Sequence, residues 1–148
     1  MMLYAENRGA FASPEQWTIV RGMNNPCIVN FPNPAVVRIE NIYLAYTDAG
    51  GYGEGWAGRK ILEMVSLDGL DWTPLGFIEH DADVQANHVP EAFALTEGGS
   101  TWLYLTYGGQ VPGDYRYDRI RAKRRRLTPA ELESYRTLCN RCASGLLP

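Results

Sequence analysis

Pro34-Ala35-Val36-Val37, followed by Tyr43-Leu44-Ala45-Tyr46, returns later in the chain as Pro90-Glu91-Ala92-Phe93, followed by Tyr104-Leu105-Thr106-Tyr107. The Pro-headed segments lie 56 residues apart and the aromatic ones 61. A third pair, Trp17-Thr18 and Trp72-Thr73, lies 55 apart, and each follows a Ser a few residues earlier. Three pairs in one order at nearly one spacing indicate an internal repeat. The longer Thr96-Glu97-Gly98-Gly99-Ser100-Thr101 turn of the second copy absorbs the spread.

Each unit reads as strands. Residues 35–39, 43–46, 61–65, 92–95 and 102–107 are short, rich in β-branched or aromatic residues, and bounded by turn formers. Asp68-Gly69 and Gly98-Gly99 are tight-turn signals between them. Four antiparallel strands in roughly 55 to 60 residues make a propeller blade. The fold class expected is therefore all-β: about two and a half four-stranded blades of a partial β-propeller, ending in an α-helix. Residues 1–126 are assigned to the partial propeller. Residues 127–148 are assigned to an amphipathic helix packing on it. The helix starts at Thr128-Pro129-Ala130-Glu131, a capping box with Pro at the first helical position, and stops near Gly145. Its apolar face is Leu132, Tyr135, Leu138, Cys139 and Cys142.

The 148 residues suffice for one domain. With 45% hydrophobic and 21% charged residues the composition is that of a soluble globular chain. A net charge of −3 argues against a general nucleic-acid binder. Residues 115–126 carry seven basic side chains, which suit either a phosphate site or a charged edge strand that resists unwanted pairing. No apolar run is long enough for a membrane span, and no secretory signal opens the chain, so a cytoplasmic location is expected. Of the three cysteines, Cys139 and Cys142 form a CxxC; a zinc site needs about four ligands, and two thiols one turn apart on a helix is the alternative.

Asn33-Pro34-Ala35-Val36-Val37 before Tyr43-Leu44-Ala45-Tyr46, then Ser66-Leu67-Asp68-Gly69-Leu70-Asp71-Trp72, then Val89-Pro90-Glu91-Ala92, resembles the five-bladed propeller glycoside hydrolases of families 43 and 32. The likeness covers about residues 13 to 110. It implies a sugar site in a funnel at the heads of the inner strands, with three acids on successive blades; separately, no metal or cofactor is expected. Glu91 matches the general acid, which must hold a proton near neutral pH and so requires a raised pKa. Phe93, Tyr104 and Tyr107 are the aromatics that would desolvate it. Asn33 stands where the supporting Asp usually precedes Pro, so that role is either lost or taken by Asp48. The acid of the preceding blade has no counterpart in this chain.

The substrate-binding candidates are Asn33, Trp56, His88 and Tyr107. Trp56, on a Gly-rich loop, either stacks on a sugar ring or packs over the blade. His88 either holds a sugar hydroxyl or is an ordinary loop histidine. Asp81, Asp83, Gln85 and Asn87 form a polar segment that holds a metal ion or a sugar, or is simply solvated. Two functions stand side by side: a glycosidase-like protein with Glu91 as acid, and a non-catalytic sugar-binding or structural relative. A carbohydrate ligand is the expected partner, with no nucleic acid and no membrane. Because blades bury their faces against neighbours, the chain is also expected to form a homo-oligomer, most simply a dimer. Leaving ~600 Å² of apolar face in water would forfeit about 15 kcal/mol at roughly 25 cal/mol per Å².

Overall fold

The computed structural model describes residues 5–7, 17–19, 33–49, 58–113 and 118–145. Trp56 and its loop, Cys27 and Tyr115–Tyr117 lie outside the described residues. Strands β1 (Ala5–Asn7) and β2 (Trp17–Ile19) pair antiparallel. Strands β3 (Ala35–Ile39), β4 (Ile42–Ala49), β5 (Lys60–Ser66) and β6 (Thr73–Ile78) then form one antiparallel meander in sequence order. Strands β7 (Ala86–Glu97), β8 (Ser100–Gln110) and β9 (Asp118–Leu127) form a second. The expected strands fall inside β3, β4, β5, β7 and β8, and the basic run supplies β9, an edge strand bonded to β8.

The turns follow from their residues. Gly98 and Gly99 join β7 to β8 with φ of 55° and 73°, the left-handed pair that matches the twist of a hairpin. Between β5 and β6 the Ser66-Leu67-Asp68-Gly69 turn is held by its own side chains. Ser66 Oγ accepts from the Asp68 and Gly69 N–H groups, and Asp68 Oδ1 accepts from Leu70 N and Asp71 N at 2.8 and 2.9 Å. The Ser-x-Asp-Gly segment thus clasps a corner.

The two large sheets pack face to face. Ala35, Val37, Ile39, Ile42, Leu44, Tyr46, Ile61 and Val65 of the first meet Leu103, Leu105, Tyr107 and Leu127 of the second. Strand β7 lies against β3, β4 and β5. Two sheets stacked in chain order with their first strands adjacent are a layered β architecture, but among the described residues no ring of sheets closes.

After β9, where a fourth strand would complete a blade, the chain forms the expected C-terminal helix, α1 (Pro129–Ala143). Thr128 Oγ1 accepts from Glu131 N, and Glu131 Oε2 accepts from Thr128 N at 2.9 Å, completing the capping box. Gly145, with φ of 68°, follows the C-cap Ser144. The helix runs back over β4, β5 and β6, burying Leu132 and seating Tyr135, Leu138 and Cys139 on the shared core. Arg136 ties it to the β3–β4 turn through Glu40 Oε2 and Asn41 Oδ1. No helix among the described residues is long and apolar enough to cross a membrane.

Candidate functional site

The Pro-headed strands begin alike. Asn33 precedes Pro34 with φ of 52°, and Val89 precedes Pro90 with φ of 48°. Asparagine tolerates this left-handed region through its short polar side chain, whereas a β-branched valine is strained there. At Val89 and Pro90 the pairing of β7 with β8 also slips by one residue, a β-bulge between His88 and Glu91.

One carboxylate serves both turns. Asp48, in the last turn of pairing of β4 and only 2% exposed, accepts from Asn33 Nδ2 at 2.9 Å and from the Val89 N–H at 2.6 Å. Arg59 Nη1 stands 3.9 Å from Asp48 Oδ2. The Arg59 carbonyl in turn accepts from Asn87 N at 2.8 Å and meets His80 Nε2 at 2.5 Å. Charge-assisted bonds of this kind are about twice as strong as neutral ones, which suits a carboxylate holding a strained backbone in place.

Behind this centre lie more buried polar groups. Asn87 is fully buried, and neither its Oδ1 nor its Nδ2 meets a hydrogen-bond partner among the described residues. The His88 ring, 6% exposed, comes close to Gly108: a Cβ there would stand 2.8 Å from His88 Cε1. Glycine at 108 is what lets the ring approach. Gln110 is buried at the same end of β8.

Glu91 stands apart from this cluster. It is exposed, sixth in β7, opposite Thr106. The aromatics expected around it are divided between the two faces of the sheet. Phe93 and Tyr104 lie on its side and stack on each other with centroids 5.0 Å apart. Tyr107 faces the core, 2% exposed, and donates to Asp81 Oδ2 at 2.8 Å. Burial and that bond push the Tyr107 phenol above its ordinary pKa.

Asp81 and Asp83 anchor the edge strand. Lys123 Nζ lies 2.8 Å from Asp81 Oδ1, and Arg121 pairs with Asp83. The bond from Lys123 holds the Asp81 carboxyl below the usual range, and that from Arg121 does the same for Asp83. Arg125, next along the same face, donates to Glu63 at 2.6 Å, Glu131 at 3.0 Å and Tyr135 at 3.0 Å. Tyr46 adds a 2.6 Å bond to Glu63, and burial raises its phenol pKa, helped by that carboxylate. Sequence reading missed this ladder. Its only signal was the every-second-residue spacing of Arg121, Lys123 and Arg125.

Among the described residues no group of three His, Cys, Asp or Glu side chains is placed to hold a metal ion. Cys139 is half-buried and Cys142 exposed, both as free thiols. No protein-family model and no curated protein matches the chain.

Proposed function

We propose that this chain is a carbohydrate-binding protein built from blades of a partial propeller, and that it does not hydrolyse its ligand. The observation that carries this reading is the position of Asp48, which joins the heads of β3 and β7 where the resemblance places a sugar funnel. Asn33 is exposed beside it, Arg59 is partly exposed, and Asn87, bonded through its backbone N–H to the Arg59 carbonyl, has a side-chain amide with no partner among the described residues. Sugar hydroxyls donate and accept at once, and a set of amide, carboxylate and guanidinium groups answers both.

Hydrolysis asks for a protonated acid facing a second carboxylate across about 5 to 9.5 Å. Glu91 is open to water on the outer face of its sheet, apart from the Asp48 centre. Calorimetric titration with neutral mono- and oligosaccharides, beside an aryl-glycoside hydrolysis assay, tests the reading. Saturable binding weakened at least about tenfold by Asn33→Ala, without turnover, is the supporting result. Turnover that Glu91→Gln abolishes would replace it with the glycosidase reading, because the amide cannot donate the acid proton.

A further inference from the structure

Among the described residues no element covers the face of the β7–β8–β9 sheet that points away from the core, and α1 packs on the other sheet. Phe93 and Leu95 are 43% and 47% exposed on β7, and Ile120 is 87% exposed on β9. Trp102 and Tyr104 lie between them on β8. The charges on this face are sorted by strand. Glu91 and Glu97 lie along β7, whereas Arg124 and Arg126, paired with Tyr104 and Trp102, lie along β9.

We propose that a second copy of this chain docks on this face, about a two-fold axis parallel to the strands. Such an axis turns the sheet over and sets β7 of one copy across from β9 of the other. Arg124 and Arg126 of one copy then lie across from the levels of Phe93 and Leu95 of the other, with Glu91 and Glu97 one residue pair to either side and within diagonal reach, in two equivalent zones flanking an apolar centre. A two-fold axis across the strands would instead set acid on acid and arginine on arginine.

The ring geometry favours a protein occupant over a sugar. Phe93 and Tyr104 turn their faces to each other, and the Arg124 guanidinium sits 4.8 Å over the Trp102 ring. One face of each of these rings is thus taken within the chain, while Phe93, Leu95 and Ile120 offer the apolar relief that a second sheet covers at about 10 Å spacing. This inference does not rest on the carbohydrate reading.

Sedimentation equilibrium of the full chain tests it, with circular dichroism confirming that each variant is folded. The natural chain is expected to dimerise in the micromolar range. Arg124→Glu/Arg126→Glu places acid against acid, and Glu91→Lys/Glu97→Lys places base against base. Each variant alone is expected to weaken the dimer at least about tenfold, and an equimolar mixture of the two is expected to recover it as a heterodimer. A natural chain that stays monomeric at ~200 μM overturns the proposal. So does a dimer that neither reversal weakens, or a mixture that fails to recover it.

Discussion

Asn33 Nδ2 and the Val89 N–H bond to the two oxygens of a single carboxylate, Asp48, at 2.9 and 2.6 Å. Asn33 and Val89 occupy equivalent places in the repeat, 56 residues apart, each before a proline and each with φ near 50°. The repeat is thus present in backbone geometry as well as in sequence, and Asp48 is the point where its two copies meet.

Replacing Asp48 is expected to loosen this junction. Asp48→Asn sets its own NH₂ group against that of Asn33, donor against donor, and removes the charge that strengthens the bond from Val89. A loss of about 2–4 kcal/mol is expected in urea denaturation, from two charged hydrogen bonds at about 1.5–3 kcal/mol each. The exchange Asn33→Asp/Asp48→Asn restores a donor opposite an acceptor and is expected to recover part of that loss. A double variant no more stable than Asp48→Asn alone would show that the pair is not what holds the junction.

Val89→Gly tests the strain directly. A left-handed valine costs roughly 1–2 kcal/mol, and the entropy of a new glycine costs roughly 0.5–1 kcal/mol in return. Stability is therefore expected to stay level or rise by up to about 1 kcal/mol, whereas Val89→Ala, which keeps a Cβ, gains nothing. A loss above about 1 kcal/mol on Val89→Gly would contradict a strained backbone there.

The ion pairs of β9 predict the acid limb of the stability curve. Asp81 has its carboxyl pKa lowered in the folded chain, first by the hydrogen bond from Lys123. A lowered folded pKa means the contribution is complete above the ordinary carboxylate pKa, roughly 3.9, and is lost as pH falls through the lower folded value. Lys123→Met is expected to flatten that limb and to move the Asp81 carboxyl titration, followed by carbon NMR, back toward the ordinary value. An unmoved titration would mean that Lys123 does not set it.

Arg125 is the hub between the sheets and the helix. Burial is the largest influence and opposes the charge, yet the folded pKa of Arg125 is raised, because Glu63, Tyr135 and Tyr46 together outweigh that cost. Arg125→Met leaves Glu63, whose side chain is 16% exposed, without its cation, and a loss of about 3 kcal/mol is expected in thermal denaturation. Faster amide exchange along α1 should accompany it, since Glu131 and Tyr135 lose the same partner. Arg125→Lys is expected to recover little, because a lysine lacks the planar fork that reaches three acceptors.

The parts of this fold written in local chemistry were legible in the sequence. The capping box at Thr128–Glu131, the Gly98-Gly99 turn and the head of β3 at Pro34 each depend on residues a few positions apart, whereas Pro90 lies inside β7, which begins at Ala86. The direction in which side chains point was not. A strand's faces alternate, so the one-residue slip at Val89 and Pro90 decides which side Glu91 takes, and no local signal announces that slip. The same alternation sends Tyr107 into the core and leaves Phe93 and Tyr104 outside. Partners distant in sequence, such as Glu63 with Arg125 or Asp48 with Val89, depend on how the sheets stack and were beyond reach. Asp48 was raised only as a stand-in for the acid missing at Asn33; in the fold it accepts a hydrogen bond from that residue.

Nuclear magnetic resonance titration of the labelled full chain with neutral oligosaccharides tests most directly whether the Asp48 centre recognises sugar. The expected result is saturable shifts in the Asn33 and Asn87 side-chain amides and the Val89 backbone N–H, with the sugar recovered intact. Shifts confined to other parts of the chain, or none at saturating sugar, would contradict it.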